Sequence, residues 1–290
     1  MRVYTTGDVE EYAAAVEAFL KADPCARNVL LTVMDLVRAA PATYSAAPSF
    51  WWITDSDAVV GAASWTPPHN LLVSSLLPEA AGDLATAAIH RATELGLRLR
   101  GVSGPADSAH AVAAALSAAT GDSIERDRPI LLNELVSLVD VPVPPGARRH
   151  GRAEDVPLVA EWLESFSAEI EHAAPTNALA IAGHMVQSDH VDVWIVDEQI
   201  VCMVGHRDAA GVLRIGPVYT PPEHRNHGYA RRLTYEVTAL ALQRPDVLHA
   251  TLFTDAANPV SNSIYRQAGY QPRGEHVEIE FVKRSSERGH

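Results

Sequence analysis

The sequence predicts an α/β protein built from two modules that repeat one order of helices and strands. Three observations support this. The chain has 290 residues, enough for two domains of ordinary size. Its apolar residues alternate between the helical period and the strand period, and do so in a similar order in each half. The stretch 141–146, which reads VPVPPG, interrupts both patterns because proline fixes the backbone and removes a donor.

The front module is predicted to cover residues 1–140. A short strand at 2–6 precedes a helix that runs to about residue 20. Asp8 favours the start of this helix, because negative charge is favourable at the positive end of the helix dipole. The elements that follow are a helix at 24–39, strands at 49–54, 59–66 and 70–76, a helix at 78–95, a strand at 100–103, a helix at 107–120 and a strand at 131–138.

The linker at 141–147 leads into a rear module at 148–290 with the same element order. Its predicted elements are a strand at 149–152, helices at 154–172 and 177–187, strands at 191–196, 200–207 and 212–219, a helix at 229–243, a strand at 247–254, a helix at 259–268 and a strand at 275–282.

Composition narrows the classes of partner. The net charge of −13 argues against nucleic acid, whose phosphate backbone needs a basic face, and favours a cationic or neutral substrate. No apolar run reaches the roughly twenty residues that span a bilayer. The start of the chain lacks the apolar core of a secretion signal, so we expect a cytoplasmic protein. Cys25 and Cys202 have no paired spacing and are expected to be reduced.

The most informative segment follows the third strand of the rear module. An apolar run from Val212 to Tyr219 stops at a Pro-Pro turn, and a loop with Arg225 and Gly228 opens a helix at Tyr229. The first N–H groups of a helix have no intrahelical partner and point along the positive end of its dipole. This arrangement binds phosphate groups, and glycine lets the backbone approach an anion closely. The segment therefore predicts a diphosphate site.

This loop and the last helix of the module share a pattern with a known family. The pattern consists of Arg225-x-x-Gly228-x-Ala230 and, about thirty residues later, Asn258, Tyr265 and Gly269-Tyr270. It resembles the GNAT superfamily of acyl-CoA-dependent N-acyltransferases over roughly 148–283, and most closely a bacterial branch with a degenerate copy of the fold in front. The resemblance implies mixed, mostly antiparallel central sheets flanked by helices in two GNAT-like modules, with the C-terminal one catalytic.

The front copy lacks the features that would bind coenzyme A in the manner of this family. Its strand near residue 76 is followed by residues 78–83, PEAAGD, which carry two carboxylates and no arginine. Carboxylates repel a diphosphate, so this module is expected to have a structural or substrate-shaping role.

The resemblance also implies site residues. The cofactor-binding set comprises Val218, Tyr219, Arg225, Asn226, His227, Gly228, Tyr229, Ala230 and Asn258. Val218 and Tyr219 close a strand whose exposed backbone would bind the pantetheine arm, and Pro217 supports such an opening. Tyr265 would protonate the departing thiolate or hydrogen-bond its sulfur. The position of Asn258 directly before Pro259 also predicts that its side chain caps the last helix. The competing interpretations are solvated surface for Arg225, a kinked edge strand for 216–219 and a core tyrosine for Tyr265.

The general base stays open. Relatives place a glutamate on the strand before the loop, whereas residues 214–217 here read RIGP. His206, Asp255, Glu169 or a chain of water molecules are the candidates, and each of these side chains also fits a structural role. The histidines lack the spacing of a zinc site, so no metal is expected.

The predicted function is transfer of an acetyl or other short acyl group from acetyl-CoA, or a related thioester, to a primary amine of a small molecule. A non-catalytic CoA-binding sensor and acetylation of a protein or peptide amine are the alternatives. An acetyltransferase that protects its host from its own antibiotic would use the same mechanism on a different substrate. No nucleic acid or membrane partner is expected, and formation of a homodimer stays open.

Overall fold

Two compact units make up the protein in a computed structural model that describes residues 1–39, 46–170 and 177–283. Of the described residues, unit 1 contains those within 1–132, 255–257 and 272–283, and unit 2 contains those within 133–254 and 258–271. The C-terminal strand thus groups with unit 1, although the sequence assigns it to the rear module. The module boundaries at 140 and 148 stay a prediction. The two units of the fold are a separate division of the chain.

Unit 1 is a sheet with helices. Its elements are β1 (Arg2–Thr6), α1 (Val9–Ala22), α2 (Asn28–Ala39), β2 (Ser49–Asp55), β3 (Ala58–Trp65), β4 (Leu71–Val73), α3 (Ala80–Glu94), β5 (Gly101–Pro105), α4 (Ala106–Thr120), most of β6 (Ser123–Leu135) and most of β12 (Tyr270–Val282). Hydrogen-bonded neighbours follow the order β1-β2-β3-β4-β5-β12. The β4–β5 pair is parallel, and the other neighbouring pairs in this series are antiparallel.

Unit 2 repeats this plan. Its elements are β7 (Ala147–His150), α5 (Val156–Glu169), α6 (Ala178–Gln187), β8 (Val191–Val196), β9 (Gln199–Ala209), β10 (Val212–Tyr219), α7 (Tyr229–Ala241), most of β11 (His249–Asp255) and α8 (Pro259–Gln267). The strand order is β7-β8-β9-β10-β11, with β10–β11 parallel and the preceding pairs antiparallel. Each unit therefore has one parallel pair at the corresponding place, and the predicted fold class is confirmed.

Local chemistry explains several element ends. The Asp8 carboxylate caps α1 by accepting the N–H of Glu10 at 2.8 Å, as the acidic start predicts. The β8–β9 hairpin turns at Asp197 and Glu198, which both have positive φ. Two consecutive residues with positive φ match the right-handed twist of the flanking strands.

Two strands are longer than their apolar patterns. β6 begins at Ser123, before the predicted start at 131, and β12 begins at Tyr270 instead of 275. The added segments, SIERDRPI and YQPRG, are rich in charged residues, proline or glycine, and most of their side chains are exposed or half-buried. Strands of this kind carry no apolar alternation, so periodicity does not detect them.

The buried residues of unit 2 form two layers, one on each face of its sheet. One cluster includes Leu213, Ile215, Leu233 and Tyr270, with α7 against the strands. The other includes Trp162 and residues of α5 and α6. In unit 1, a cluster around Trp51, Trp65 and Leu84 takes in residues of β12. Across the described ranges, no helix is both long and apolar enough to cross a membrane.

Candidate active site

The strand pair β10–β11 opens in the middle of unit 2. Their parallel pairing runs from Val212 opposite His249 to Ile215 opposite Leu252 and goes no further in the described strands. β10 continues alone along β9, with a register shift between Ile215 and Val218. Pro217 lies in this shifted segment and has no N–H to donate. The backbone of residues 216–219 is therefore unpaired on the side of β11, at the place where the sequence predicts an opening.

Gly216 shows that this opening contains space. The residue is exposed although it belongs to an interior strand of the sheet, and its φ is +138°. A Cβ atom built on it would meet no described atom within 4 Å. A ligand can therefore approach the backbone here without displacing a side chain.

The loop after β10 leads into the start of α7. A short 3₁₀ turn at Pro222–His224 precedes Arg225, and both Asn226 (φ 66°) and Gly228 (φ 82°) adopt the left-handed conformation. Gly228 is the N-cap residue of α7, and as a glycine it has no side chain that could cap this helix. The first N–H groups of α7 are consequently available to a ligand, and the helix dipole favours an anion there.

Arg225 has two partners within the protein. Its Nε donates to the Thr220 carbonyl at 2.9 Å, and its terminal amino group forms an ion pair with Glu169 at the end of α5. The Arg225 side chain is 40% exposed and the Glu169 side chain 45%. Arg225 therefore ties the loop to β10 and α5, and its guanidinium reaches a diphosphate only by sharing or exchanging these bonds.

Other loop residues fix the start of α7. The His227 ring stacks on Tyr229 with centroids 5.3 Å apart, and its Nδ1 lies 3.2 Å from the His224 carbonyl. Tyr229 itself is buried, and Ala230 packs against the same apolar cluster. Because their side chains pack against the core, Tyr229 and Ala230 can contact a ligand at the start of α7 through their backbone N–H groups.

Tyr265 lies on α8, the last helix of unit 2. Asn258 caps α8 by accepting the N–H of Ser261 at 3.0 Å, as predicted from its position before Pro259. The half-buried Tyr265 ring packs against the cluster that Val218 also contacts. Among the described residues, no hydrogen bond reaches its hydroxyl group.

Burial raises the pKa of Tyr265, and the nearby Cys202 and Tyr270 side chains add to this effect. The phenol is therefore protonated at neutral pH and can donate a proton. The hydroxyl without a partner among the described residues distinguishes Tyr265 from Tyr270, whose hydroxyl is 2.7 Å from Thr238 Oγ1.

Val218 and Tyr219, at the end of β10, have side chains on opposite faces of the sheet. Val218 belongs to the α7 and α8 side, whereas the Tyr219 side chain is buried against Trp162 on the opposite face of the sheet. The Tyr219 ring is thus part of the core, and only its backbone is placed to bind a ligand. The structure brings Val218, Tyr229, Ala230 and Tyr265 together around one cluster.

Each candidate base has a structural partner. The His206 Nε2 atom lies 3.0 Å from the buried carboxylate of Asp192, which also pairs with Arg148. Glu169 pairs with Arg225. Asp255 belongs to unit 1 and accepts a turn hydrogen bond from the Ala257 N–H at 2.7 Å.

Comparison with known proteins identifies the domain. A family model described as Acetyltransferase (GNAT) family matches residues 156–270. This segment is a GNAT acetyltransferase domain. It contains the opened strand, the start of α7 and Tyr265. The GNAT family uses acetyl-CoA as a substrate. No curated protein sequence matches the chain.

Solved structures with the same fold extend over both units. A GCN5-related N-acetyltransferase from Sphaerobacter thermophilus is 16% identical, with 97% of this chain and 96% of that chain covered and a TM-score of 0.65. A tandem GNAT protein from the clavulanic acid biosynthesis pathway is 13% identical, with 98% and 100% covered and a TM-score of 0.59. A GNAT-family acetyltransferase from Colwellia psychrerythraea is 12% identical, with 97% and 100% covered and a TM-score of 0.58. At these identities the likeness shows the fold, and it supports two GNAT modules.

Proposed function

We propose that the GNAT domain transfers an acetyl or short acyl group from its CoA thioester to a primary amine of a small molecule. The observation that carries this proposal is the juxtaposition of three features in unit 2. They are the opening of β10 at Gly216, the uncapped N-terminus of α7 at Gly228 and the Tyr265 hydroxyl, which has no partner among the described residues.

Each feature supplies one requirement of acyl transfer. The backbone N–H groups of residues 227–230 bind the diphosphate, and the free backbone of Val218 and Tyr219 binds the pantetheine arm and the thioester carbonyl. The amine nitrogen attacks the thioester carbon, and the C–S bond then breaks. Tyr265 donates its proton to the departing thiolate. The amine loses its surplus proton to water or to a base that stays unassigned.

Tyr265→Phe tests the catalytic part of this proposal. General acid catalysis contributes about 10²–10⁴-fold, so kcat should fall by about that factor. Removal of one hydroxyl leaves the diphosphate contacts intact, so calorimetry should give an unchanged Kd for acetyl-CoA. The matched control is Tyr235→Phe on α7, which makes the same chemical change at a half-buried ring next to Arg232. An unchanged kcat in Tyr265→Phe would contradict the proposed acid.

A sensor that binds CoA without chemistry is the second candidate. The ion pair of Glu169 with Arg225 favours it, because a carboxylate held by a guanidinium group is a weaker base. A thiol-release assay over a broad amine panel separates the two candidates. Binding of acetyl-CoA without turnover of any amine would support the sensor.

The finer parts of the proposal have their own readouts. Acetylation of a folded protein panel without turnover of small amines would replace the small-molecule acceptor by a protein amine. A cytoplasmic location stays an expectation.

A further inference from the structure

Arg214 is a cation in the sheet that the proposed chemistry does not use. It lies on β10, two residues before Gly216, between Leu213 and Ile215 of the α7-side cluster. Strand alternation therefore points its side chain to the opposite face, the face covered by α5 and α6. In the described part of the chain, no ion pair or hydrogen bond reaches its guanidinium group.

No carboxylate within the described ranges compensates the charge of Arg214. Its partner in register on β9 is Arg207, so two cations face each other across neighbouring strands. Like charges in this position destabilise a sheet. Burial, with a further contribution from Arg207, lowers the pKa of Arg214 to about 10. Arg214 is half-buried. A charge that is largely removed from water is stabilised by a partner of opposite sign, so this site favours an anion.

A second polar group without a hydrogen-bond partner lies beside Arg214. Thr251 on β11 is its partner in parallel register, and Thr251 is 0% exposed. Ala250 and Leu252 belong to the α7-side cluster, so Thr251 shares the opposite face with Arg214. Its Oγ1 atom is buried and has no hydrogen-bond partner among the described residues. A guanidinium group and a hydroxyl group are together suited to one carboxylate.

An occupant would enter at Gly216, which lies two residues beyond Arg214 where β10 and β11 separate. Same-face residues two apart on a strand are separated by about 7 Å, which an arginine side chain spans. Arg214 lies on the face opposite α7, so it is not placed to bind the diphosphate of CoA at the start of α7.

We propose that Arg214, assisted by Thr251, binds a carboxylate of the acceptor, and that the acceptor is an amino-acid-like molecule with a primary amine and a carboxylate. The inference rests on the proposed function. It specifies which amines the GNAT domain accepts. A dicarboxylic acyl chain on the donor would present the same chemical group, and the experiment separates these two sources.

The test measures kcat/KM for matched amines that differ only in the carboxylate, such as an amino acid, its amide and its decarboxylated amine. A charge-assisted hydrogen bond should make the wild type favour the carboxylated member by about 10- to 100-fold. Arg214→Gln should abolish this preference and leave the neutral amines and the Kd of acetyl-CoA unchanged. Arg214→Lys should retain part of the preference. The control is Arg244→Gln, which removes a cation paired with Asp208 and Asp246.

Two further readouts keep the outcome decisive. Arg214→Gln removes a half-buried charge that no carboxylate among the described residues compensates, so its melting temperature should equal or exceed that of the wild type without ligand. Carboxylated amines should raise the melting temperature of the wild type with acetyl-CoA bound, and should not do so in Arg214→Gln. This binding readout applies even where turnover is absent.

The outcomes that overturn the inference differ from failure of the proposed function. Equal kcat/KM for carboxylated and neutral amines, or a preference that survives in Arg214→Gln, overturns the inference and leaves acyl transfer intact. A loss confined to succinyl-CoA as donor, with acetyl-CoA turnover unchanged in Arg214→Gln, assigns the carboxylate to the donor and also overturns it. Absence of heat with acetyl-CoA and with longer acyl thioesters removes the proposed function and the inference together.

Discussion

Replacing Gly228 by alanine perturbs the proposed phosphate site through the backbone alone. Gly228 has φ +82°. An alanine Cβ would lie 3.6 Å from Arg231 Nη2, which is an ordinary contact, and would meet no other described atom within 4 Å. The cost is therefore conformational, about 1–2 kcal/mol for an L-residue in the left-handed region. If the unliganded variant keeps the left-handed conformation at residue 228, this cost lowers its unfolding free energy. If the loop of the unliganded variant relaxes, the cost appears instead as weaker binding of acetyl-CoA, which restores the conformation.

The bound protein has the left-handed conformation in either case, so the losses in folding and in binding add up to the same total. We expect the decrease in unfolding free energy and the decrease in binding free energy to total about 1–2 kcal/mol, equivalent to a factor of about 5–30. Chemical denaturation gives the first quantity, and isothermal titration with acetyl-CoA gives the second.

Gly211→Ala is the matched control. Gly211 lies in unit 2, in the turn between β9 and β10, with φ +80°, and an alanine Cβ there would lie 3.4 Å from the Asp246 carbonyl oxygen, so its conformational strain is the same. It is at the far end of β10, roughly 25 Å from the start of α7 along the strand. Its whole cost should appear in folding, with the affinity for acetyl-CoA unchanged. A total loss below about 0.5 kcal/mol in Gly228→Ala, with the expected cost in Gly211→Ala, would refute a phosphate site built on the left-handed backbone of Gly228.

Three further predictions concern unit 2. Because burial raises the pKa of Tyr265, the alkaline limb of kcat should show no ionisation of this phenol below its ordinary value of about 10; a step that vanishes in Tyr265→Phe would contradict this. Burial alone would raise the pKa of Asp155, but hydrogen bonds from Arg149 and the backbone outweigh it and lower the pKa. The stability that Asp155 contributes is thus present above the ordinary carboxyl pKa of about 4 and is lost as pH falls through the lowered pKa. Asp155→Ala should lower the unfolding free energy by about 3 kcal/mol at pH 7, measured by urea denaturation. A decrease near zero would contradict a stabilising role for the Asp155 carboxylate. Gly205→Ala would bring a Cβ within 2.8 Å of Pro217 Cδ. It should therefore lower the unfolding free energy by about 1–3 kcal/mol and also lower turnover. A variant as stable as the wild type would show that the segment around Pro217 moves to make room.

The sequence predicts the architecture because its signals are local. Apolar periodicity gives the element order, Asp8 and Asn258 give helix starts, and the Pro-Pro turn with Gly228 gives the loop before α7. Each of these depends on residues within a few positions of one another.

The remaining features depend on distant residues. Periodicity does not state which strand a given strand joins, so it does not predict the pairing of β12 with β5 in unit 1. The contact of Arg225 with Glu169 joins residues far apart in the chain. Periodicity marks Arg214 only as a polar residue within an apolar strand. The face on which its side chain lies, and the absence of a compensating carboxylate among the described residues, follow from the assembled sheet.

Titration of the folded protein with acetyl-CoA in a calorimeter is the most direct test of the proposed phosphate site. The account predicts one site per chain, formed by the start of α7 and the opened β10, with Kd below about 1 mM and weaker binding in Gly228→Ala. Absence of heat with acetyl-CoA and with longer acyl thioesters, from protein that melts cooperatively, would contradict it.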